Sequence, residues 1–306
     1  MAYEKFIGTV EAKKLLEERD KFLILGDHCT REWEGEIKKK GDSVTIKGLG
    51  RPTIYSLNAK GTYEANGVGA GSIAGKGKDV IHKGIPTAEE LTTFEKKFEV
   101  NQIAVFNYMV GDIDEQQSSV KGIINKARPK TAQDIASLQD ERVRDVIIAE
   151  SNCKAYENAI KLTSGVAGSD EVNILDFVDE VVMQLRQNNV KDSEELFGEC
   201  TPAFMRRLKV ALRNIDTNNS KIVRGRECTS YNGVNFFMAN AMVKGSDEYV
   251  FIRTKDSVAF FDPLTEIRPY QPEGGFADAL KGFNLFDAGV IDDKACRFAQ
   301  IAGYAG

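Results

Sequence analysis

Residues 61–84 read GTYEANGVGAGSIAGKGKDVIHKG, and the chain returns from them through residues 91–116, LTTFEKKFEVNQIAVFNYMVGDIDEQ. Seven glycines fall among small, polar and basic residues in the first stretch, with no apolar periodicity. Glycine at that density makes backbone order entropically costly, so so long an excursion is expected to serve a function or to be ordered by a neighbour. In the second stretch Phe94, Phe98, Val100, Ile103, Val105 and Tyr108 suggest a long strand with one shift of phase. Upstream, Asp42-Ser-Val-Thr-Ile-Lys-Gly follows a Gly-Asp turn and alternates apolar with polar residues, as a half-buried strand does. With the strands between Val44 and Leu57, the returning strand makes a two-stranded projection with a glycine-rich tip.

Beyond it, Asp112-Ile-Asp-Glu-Gln marks a helix start, and Ile135, Leu138, Val146, Ala149, Cys153, Tyr156 and Ile160 recur at helical spacing. This predicts one amphipathic helix of about 30 residues, stopped at Ser164-Gly165. Shorter elements follow: a helix over Ile174–Asn188, a second helix opened by Thr201-Pro202, and a hairpin at Tyr231-Asn-Gly-Val. Strands are expected at Tyr249–Arg253, Val258–Phe261, Glu266–Tyr270 and Ala295–Ile301, separated by a bend at Asp262-Pro263 and a helix over Phe276–Gly282. At the other end, Val10, Leu15, Leu16 and Leu23 among lysines and glutamates predict a short helix in an extended arm, followed by the polar run from Asp27 to Lys40.

Composition narrows the function classes. With 41 Lys and Arg against 46 Asp and Glu, the net charge of −5 lacks the basic excess of a protein that grips nucleic-acid phosphates over its whole surface. His28 and His82 are the only histidines, which leaves little material for imidazole catalysis or a His-rich metal site. Cys29, Cys153, Cys200, Cys228 and Cys296 are an odd number with no CxxC spacing, so neither a metal knuckle nor a disulfide framework is read from them, and a reducing cytoplasm is the natural setting. Residues 1–22 have no signal-peptide core, and no stretch approaches the roughly 20 apolar residues that span a bilayer.

Each candidate for chemistry meets a stronger structural explanation. The glycine tract fails as a Walker loop, because Ala70 stands five before Gly75 and Gly77 occupies the place of the magnesium-binding hydroxyl. Asp112, Asp114 and Glu115 could attract a divalent cation, but acidic residues also favour a helix start. Asp292-Asp293 reads as a turn. Cys153 reads as a core-facing helical residue and Cys200 as packing before a helix. His28 and His82 fall in the arm and the glycine tract, where a catalytic group would be poorly preorganised. Trp33 and the other aromatics lack the basic interleaving that stacks bases. No catalytic, cofactor-binding or metal residues are assigned, and the expectation is a protein without enzyme activity or cofactor.

The order of features resembles the major capsid (coat) proteins of tailed bacteriophages, the Hong Kong 97-like fold. The residues that carry the resemblance are 33–46 (WEGEIKKKGDSVTI), 106–116 (FNYMVGDIDEQ), 256–267 (DSVAFFDPLTEI) and 282–290 (GFNLFDAGV). The resemblance implies an α+β fold: an N-terminal arm over 1–41, an extended β-hairpin loop over 42–103 tipped by 61–84, and a peripheral domain with the spine helix over 104–164. An α/β axial domain over 165–247 and returning peripheral strands over 248–306 complete it. It implies self-assembly into pentamers and hexamers of an icosahedral head around double-stranded DNA, touched only weakly by the inner surface.

The partners it implies are other copies of the chain, a portal protein and decoration proteins; the short arm suggests a separate scaffolding protein. The protein would be made and assembled in the host cytoplasm and reside in the virion capsid, with no membrane contact. Lys76, Lys78 and Lys83 are present for the cross-link some relatives form, but no motif selects one of them. An encapsulin-like compartment shell is the alternative, and a nucleotide-binding enzyme using the glycine tract a more distant one.

Overall fold

The computed structural model describes residues 13–32, 43–49, 54–57, 63–66, 93–111, 123–214, 229–272 and 277–304. The chain divides into two units, residues 43–98 and the remainder. In the smaller unit, β1 (Ser43–Leu49) pairs with β4 (Thr93–Glu99), and β2 (Ile54–Leu57) forms an antiparallel ladder with β3 (Tyr63–Asn66). The expected long strand is therefore broken after Glu99 and resumes as β5 (Gln102–Gly111), where the phase of the apolar residues shifts. The glycine-rich tract from residue 67 to 84, with His82 and the three lysines, lies outside the described residues. So do Trp33, Asp112, Asp114, Glu115 and Cys228.

In the larger unit, α1 (Ile123–Ala149) presents a stripe of Ala132, Ile135, Ala136, Val143 and Ile147 to the core, spaced at three and four residues. Two differences from the sequence reading occur here. Leu138 points outward, and the helix ends at Ala149 rather than at Ser164. Glu150 leaves helical torsions, a 3-10 turn follows over Ser151–Cys153, and Lys154 is extended. Ile160–Thr163 then runs as β6. Cys153, Tyr156 and Ile160 keep helical spacing only by coincidence, because the segment finds its hydrogen bonds beside the last strand of the chain instead.

The spine helix packs on a three-stranded antiparallel sheet ordered β13-β14-β5, with β13 spanning Val258–Tyr270 and β14 Ala277–Val290. The expected helix over Phe276–Gly282 is thus strand from Ala277 onward. Two flanking partners decide this, since β14 pairs with β5 and β13 together and leaves no backbone group for a helix. Gly282 makes it possible: a Cβ there would sit 2.6 Å from the Phe106 ring and 2.8 Å from Glu266 O. Asp262-Pro263 is a register shift within β13 rather than a break between strands.

The second sheet has eight strands. Its path runs β7 (Val172–Asn173), β6, β15 (Cys296–Tyr304), β12 (Asp247–Thr254), β8 (Leu196–Cys200), β10 (Val234–Met238) and β9 (Thr229–Tyr231), with β11 (Val243–Lys244) beside β12. It is mixed: β8 and β10 are parallel, while β12 is antiparallel to both β8 and β15.

Two helices read correctly from the sequence cover one face of this sheet. Asn173 caps α2 (Ile174–Gln187) by accepting from Leu175 N at 2.8 Å, and Thr201 Oγ1 accepts from Phe204 N at the start of α3 (Pro202–Asn214). Their Phe177, Val181, Leu185, Phe204 and Leu208 form one core with Leu196, Val234, Phe236, Val250 and Ile252 of the sheet. The opposite face, with Tyr249, Phe251, Cys296 and Phe298, joins the core beneath the spine helix. Because both faces are covered, β12 is buried along Val250–Thr254. The β9–β10 turn places Asn232 (φ 47°) and Gly233 (φ 77°) in the left-handed region, the turn that Asn-Gly favours.

Candidate functional site: a buried polar strap and an exposed apolar strand

The N-terminal segment is the first surprise of the structure. The sequence reading makes it a free arm with His28 in loose chain, yet residues 13–19 are helical and Leu15, Leu23, Leu25, His28 and Cys29 are buried. Thr30 N–H donates to Val258 O at 2.9 Å and Thr30 O accepts from Phe260 N at 3.0 Å, so the segment ends alongside β13. It forms a strap across the spine-helix core, held at several points by charged groups from distant elements.

The innermost of these is a network on β8 and β12. Arg253 and Glu199 have no exposed surface, and the Arg253 guanidinium donates from Nε and Nη2 to the two Glu199 oxygens at 3.0 and 2.6 Å. Its remaining donors reach the strap backbone, Nη1 to His28 O at 2.8 Å and Nη2 to Leu25 O at 2.9 Å. His28 Nδ1 lies 3.0 Å from Glu199 Oε1, and its ring stacks on Phe197 with centroids 4.5 Å apart. Burial pushes the Glu199 carboxyl up, but Arg253 and the His28 hydrogen bond outweigh it and hold the group below the ordinary carboxylate value. An ionised Glu199 accepts, so the Nδ1–H of His28 donates.

Two further carboxylates clasp the strap. Asp140 of α1 accepts from Ile24 N and Gly26 N, each at 3.1 Å. Burial pushes its carboxyl up to about 7, against the two backbone hydrogen bonds that favour the charge. Arg19 forms a buried ion pair with Asp262, whose other oxygen accepts from Asn284 Nδ2; Asn284 Oδ1 in turn accepts from Gln139 Nε2 at 2.8 Å. Burial raises the Asp262 carboxyl and outweighs the attraction of Arg19.

This machinery is built to hold chain in place. Cys29, beside the His28–Glu199 pair, has its thiol pushed up to about 11 by burial and donates to Leu25 O, so it is no nucleophile at neutral pH. Cys200 is buried at the end of β8 and burial raises it further. Cys153 is buried on the 3-10 turn rather than on the helix. Asp292 accepts from Lys294 N at 3.0 Å, as in a turn, and Asp293 accepts from the distant Asn152 Nδ2 at 2.8 Å. Among the described residues no group of three or more His, Cys, Asp or Glu side chains could hold a metal ion, and no helix is long and apolar enough to cross a membrane.

Sequence reasoning missed Glu199, Arg253, Asp140 and the Arg19–Asp262 pair. The available signal was an arginine inside the apolar run Tyr249-Val-Phe-Ile-Arg-Thr.

The outward face of the three-stranded sheet differs in character. Along β5, Ala104, Phe106 and Tyr108 turn to the spine helix, while Ile103, Val105 and Met109 face away; Val105 is 74% and Met109 68% exposed. Asn107 between them accepts from Tyr270 Oη at 3.0 Å, and the Lys281 ammonium lies 4.6 Å from the Tyr270 ring centroid. Ile103, Val105 and Met109 thus form an exposed apolar row along β5.

No protein-family model matches the chain, and no curated protein matches it. Solved structures do. Mycobacterium phage Che8 aligns at 14% identity over 90% of both chains, with a TM-score of 0.63. The capsid of cyanophage P-SCSP1u aligns at 13% identity over 92% of this chain and 88% of its own, with a TM-score of 0.64. The capsid of Ralstonia phage GP4 aligns at 11% identity over 94% and 90%, with a TM-score of 0.55. The class of protein is thereby defined at the level of fold: an α+β chain with the Hong Kong 97-like fold of tailed-phage capsid proteins. The resemblance read from the order of its sequence features holds over about nine-tenths of the chain.

Proposed function

We propose that the chain is a phage major capsid protein whose copies form the pentamers and hexamers of an icosahedral head around double-stranded DNA. The observation that carries this is the fold match over about 90% of both chains. In this reading residues 1–41 are the N-terminal arm, 42–103 the extended loop, 104–164 the spine helix and first peripheral part, 165–247 the axial domain and 248–306 the return. The grouping of residues 43–98 into their own unit supports the loop boundaries. β12 and β15 of the return segment complete the larger sheet, while β13 and β14 pair with β5, so the return strands tie the two sheets together.

Function is mechanical and no substrate is turned over. A shell subunit needs self-complementary edges, and the apolar face of β5 suits contact with another copy. The modest net negative charge lets the inner wall enclose DNA without gripping it. The partners are other copies, a separate scaffolding protein, a portal protein and decoration proteins, with assembly in the host cytoplasm and residence in the virion. Co-expression with a scaffolding protein, followed by negative-stain microscopy, is expected to yield hollow closed shells. A chain that stays monomeric under every assembly condition overturns the reading, and native shells that enclose an enzyme cargo instead of DNA point to a compartment.

A further inference from the structure

Asn232 and Gly233 form the two-residue turn between β9 and β10, and Tyr231 pairs with Val234 across it. Both turn residues are exposed, and a Cβ added to Gly233 would meet nothing within 4 Å. In an Asn-Gly pair the next backbone nitrogen reaches the side-chain amide with least hindrance, because glycine has no Cβ. Here the fold opposes that attack. Asn232 has φ 47°. In left-handed backbone, with ψ about +47°, the Gly233 nitrogen lies on the far side of the Cα–C bond from the Asn232 side chain.

The turn is also held from outside. Asp179, exposed on α2, accepts from Asn232 Nδ2 at 2.9 Å through Oδ1 and from Tyr231 Oη at 3.1 Å through Oδ2. The Tyr231 ring packs against the core shared by α2 and α3. Burial and then the Asp179 charge push the Tyr231 hydroxyl up to about 12, so at neutral pH it remains a donor. One carboxylate thus fixes both the residue that would react and the residue before it. β9 has little other support: it is three residues long, ends the sheet and pairs only with β10 among the described residues.

We infer that Asn232-Gly233 is a site of spontaneous deamidation gated by Asp179, and that its conversion releases β9 from the sheet irreversibly. When the clasp opens, the Gly233 nitrogen gives its proton to hydroxide and attacks Asn232 Cγ. A C–N bond forms, the Cγ–Nδ2 bond breaks, and Nδ2 leaves as ammonia with a proton taken from water. Water then opens the succinimide ring at either carbonyl, giving aspartate or isoaspartate at position 232. The net change is one water consumed and one ammonia lost, with no change of oxidation state. Either product replaces the donor to Asp179 with a carboxylate, so two like charges face one another. Isoaspartate also carries a methylene into the backbone, and a two-residue turn then no longer keeps Tyr231 opposite Val234.

The experiment uses the full chain, unassembled, so it stands apart from any test of shell formation. The unaltered chain and D179A are kept at mildly alkaline pH and physiological temperature, folded or in denaturant. Tryptic peptide 227–244 is followed by mass against a zero-time sample, with electron-transfer fragmentation to place the change and to tell isoaspartate from aspartate. Tryptic peptide 61–76 carries Asn66-Gly67, the chain's other Asn-Gly pair, and serves as the reference. Deamidation at Asn232 is expected to be slower in the folded chain than in denaturant. D179A, which loses two hydrogen bonds, is expected to raise the folded rate on the order of tenfold and to leave the denatured rate and the rate at Asn66 unchanged. Amide exchange over Thr229–Tyr231 is expected to be faster in the modified chain. Equal rates in folded and denatured chain, no acceleration in D179A, no reaction at Asn232 in denaturant, or unchanged exchange after modification overturns the proposal. Should D179A not fold, Y231F, which removes one of the two hydrogen bonds to Asp179, takes its place with a smaller acceleration expected.

Discussion

Arg253 and Glu199 meet where no water reaches, and their pairing is worth most when asked what remains if one partner goes. Replacing Arg253 with Met leaves a buried carboxylate facing apolar neighbours and strips Leu25 O and His28 O of their donors. Loss of about 3–5 kcal/mol is expected in denaturant unfolding. The double variant R253M/E199L is expected to be less destabilised than R253M, because the orphaned charge is gone. Asp140 sets a pH dependence of a definite sign. Its carboxyl is raised by burial to about 7 from the ordinary 3.8, so the folded chain binds the proton more tightly than the unfolded chain. Its stabilising contribution is full below about pH 4 and is lost as pH rises through 7, at up to roughly 1.4 kcal/mol per pH unit. In D140N that slope disappears, and urea unfolding of both proteins across pH 5 to 8 measures it. None of these residues was legible as a group, because a network from four separate segments has no sequence spacing. Only the arginine in an apolar strand hinted at it.

At the scale of elements, local signals succeeded where capping or turn chemistry decides and failed where pairing partners decide. Thr201-Pro202 and Asn232-Gly233 marked their boundaries because each acts through its own few neighbours. The end of the spine helix and the helix expected over 276–282 were misread because hydrogen bonds to remote strands outcompete local periodicity. The short β8 went unseen for the same reason: its five residues contain Gly and Glu, and neighbours on both sides make it a strand. Gly282 tests the point. G282V forces a side chain into the Phe106 ring and Glu266 O, and overpacking of about 1–3 kcal/mol or more is expected as a lowered melting temperature. Adding F106A is expected to restore part of that loss, and failure to do so would assign it to the backbone clash.

For the whole molecule, the consequence of the fold is the division between surfaces that close on the chain itself and one that does not. The strap, the spine helix and both sheets satisfy one another, whereas Val105 and Met109 do not pack. V105E/M109E is expected to leave circular dichroism and melting temperature nearly unchanged, since both side chains already face water. If β5 contacts another copy in the shell, as proposed, the same variant is expected to abolish or strongly reduce particle yield in light scattering and microscopy. Unchanged assembly would remove this face from the lattice contacts.

The sequence by itself determined the helix near 174–188, the helix opened by Thr201-Pro202, the Asn-Gly hairpin, the poverty of histidine and the resemblance to capsid proteins, all of which depend on local patterns or on composition. The tertiary structure alone decided that the N-terminal segment is a buried strap, that the spine helix stops at Ala149, and that residues 277–290 are strand. The physical reason is common to all three. Each is settled by hydrogen bonds or ion pairs between residues more than a hundred positions apart, and such contacts exist only once the chain has folded.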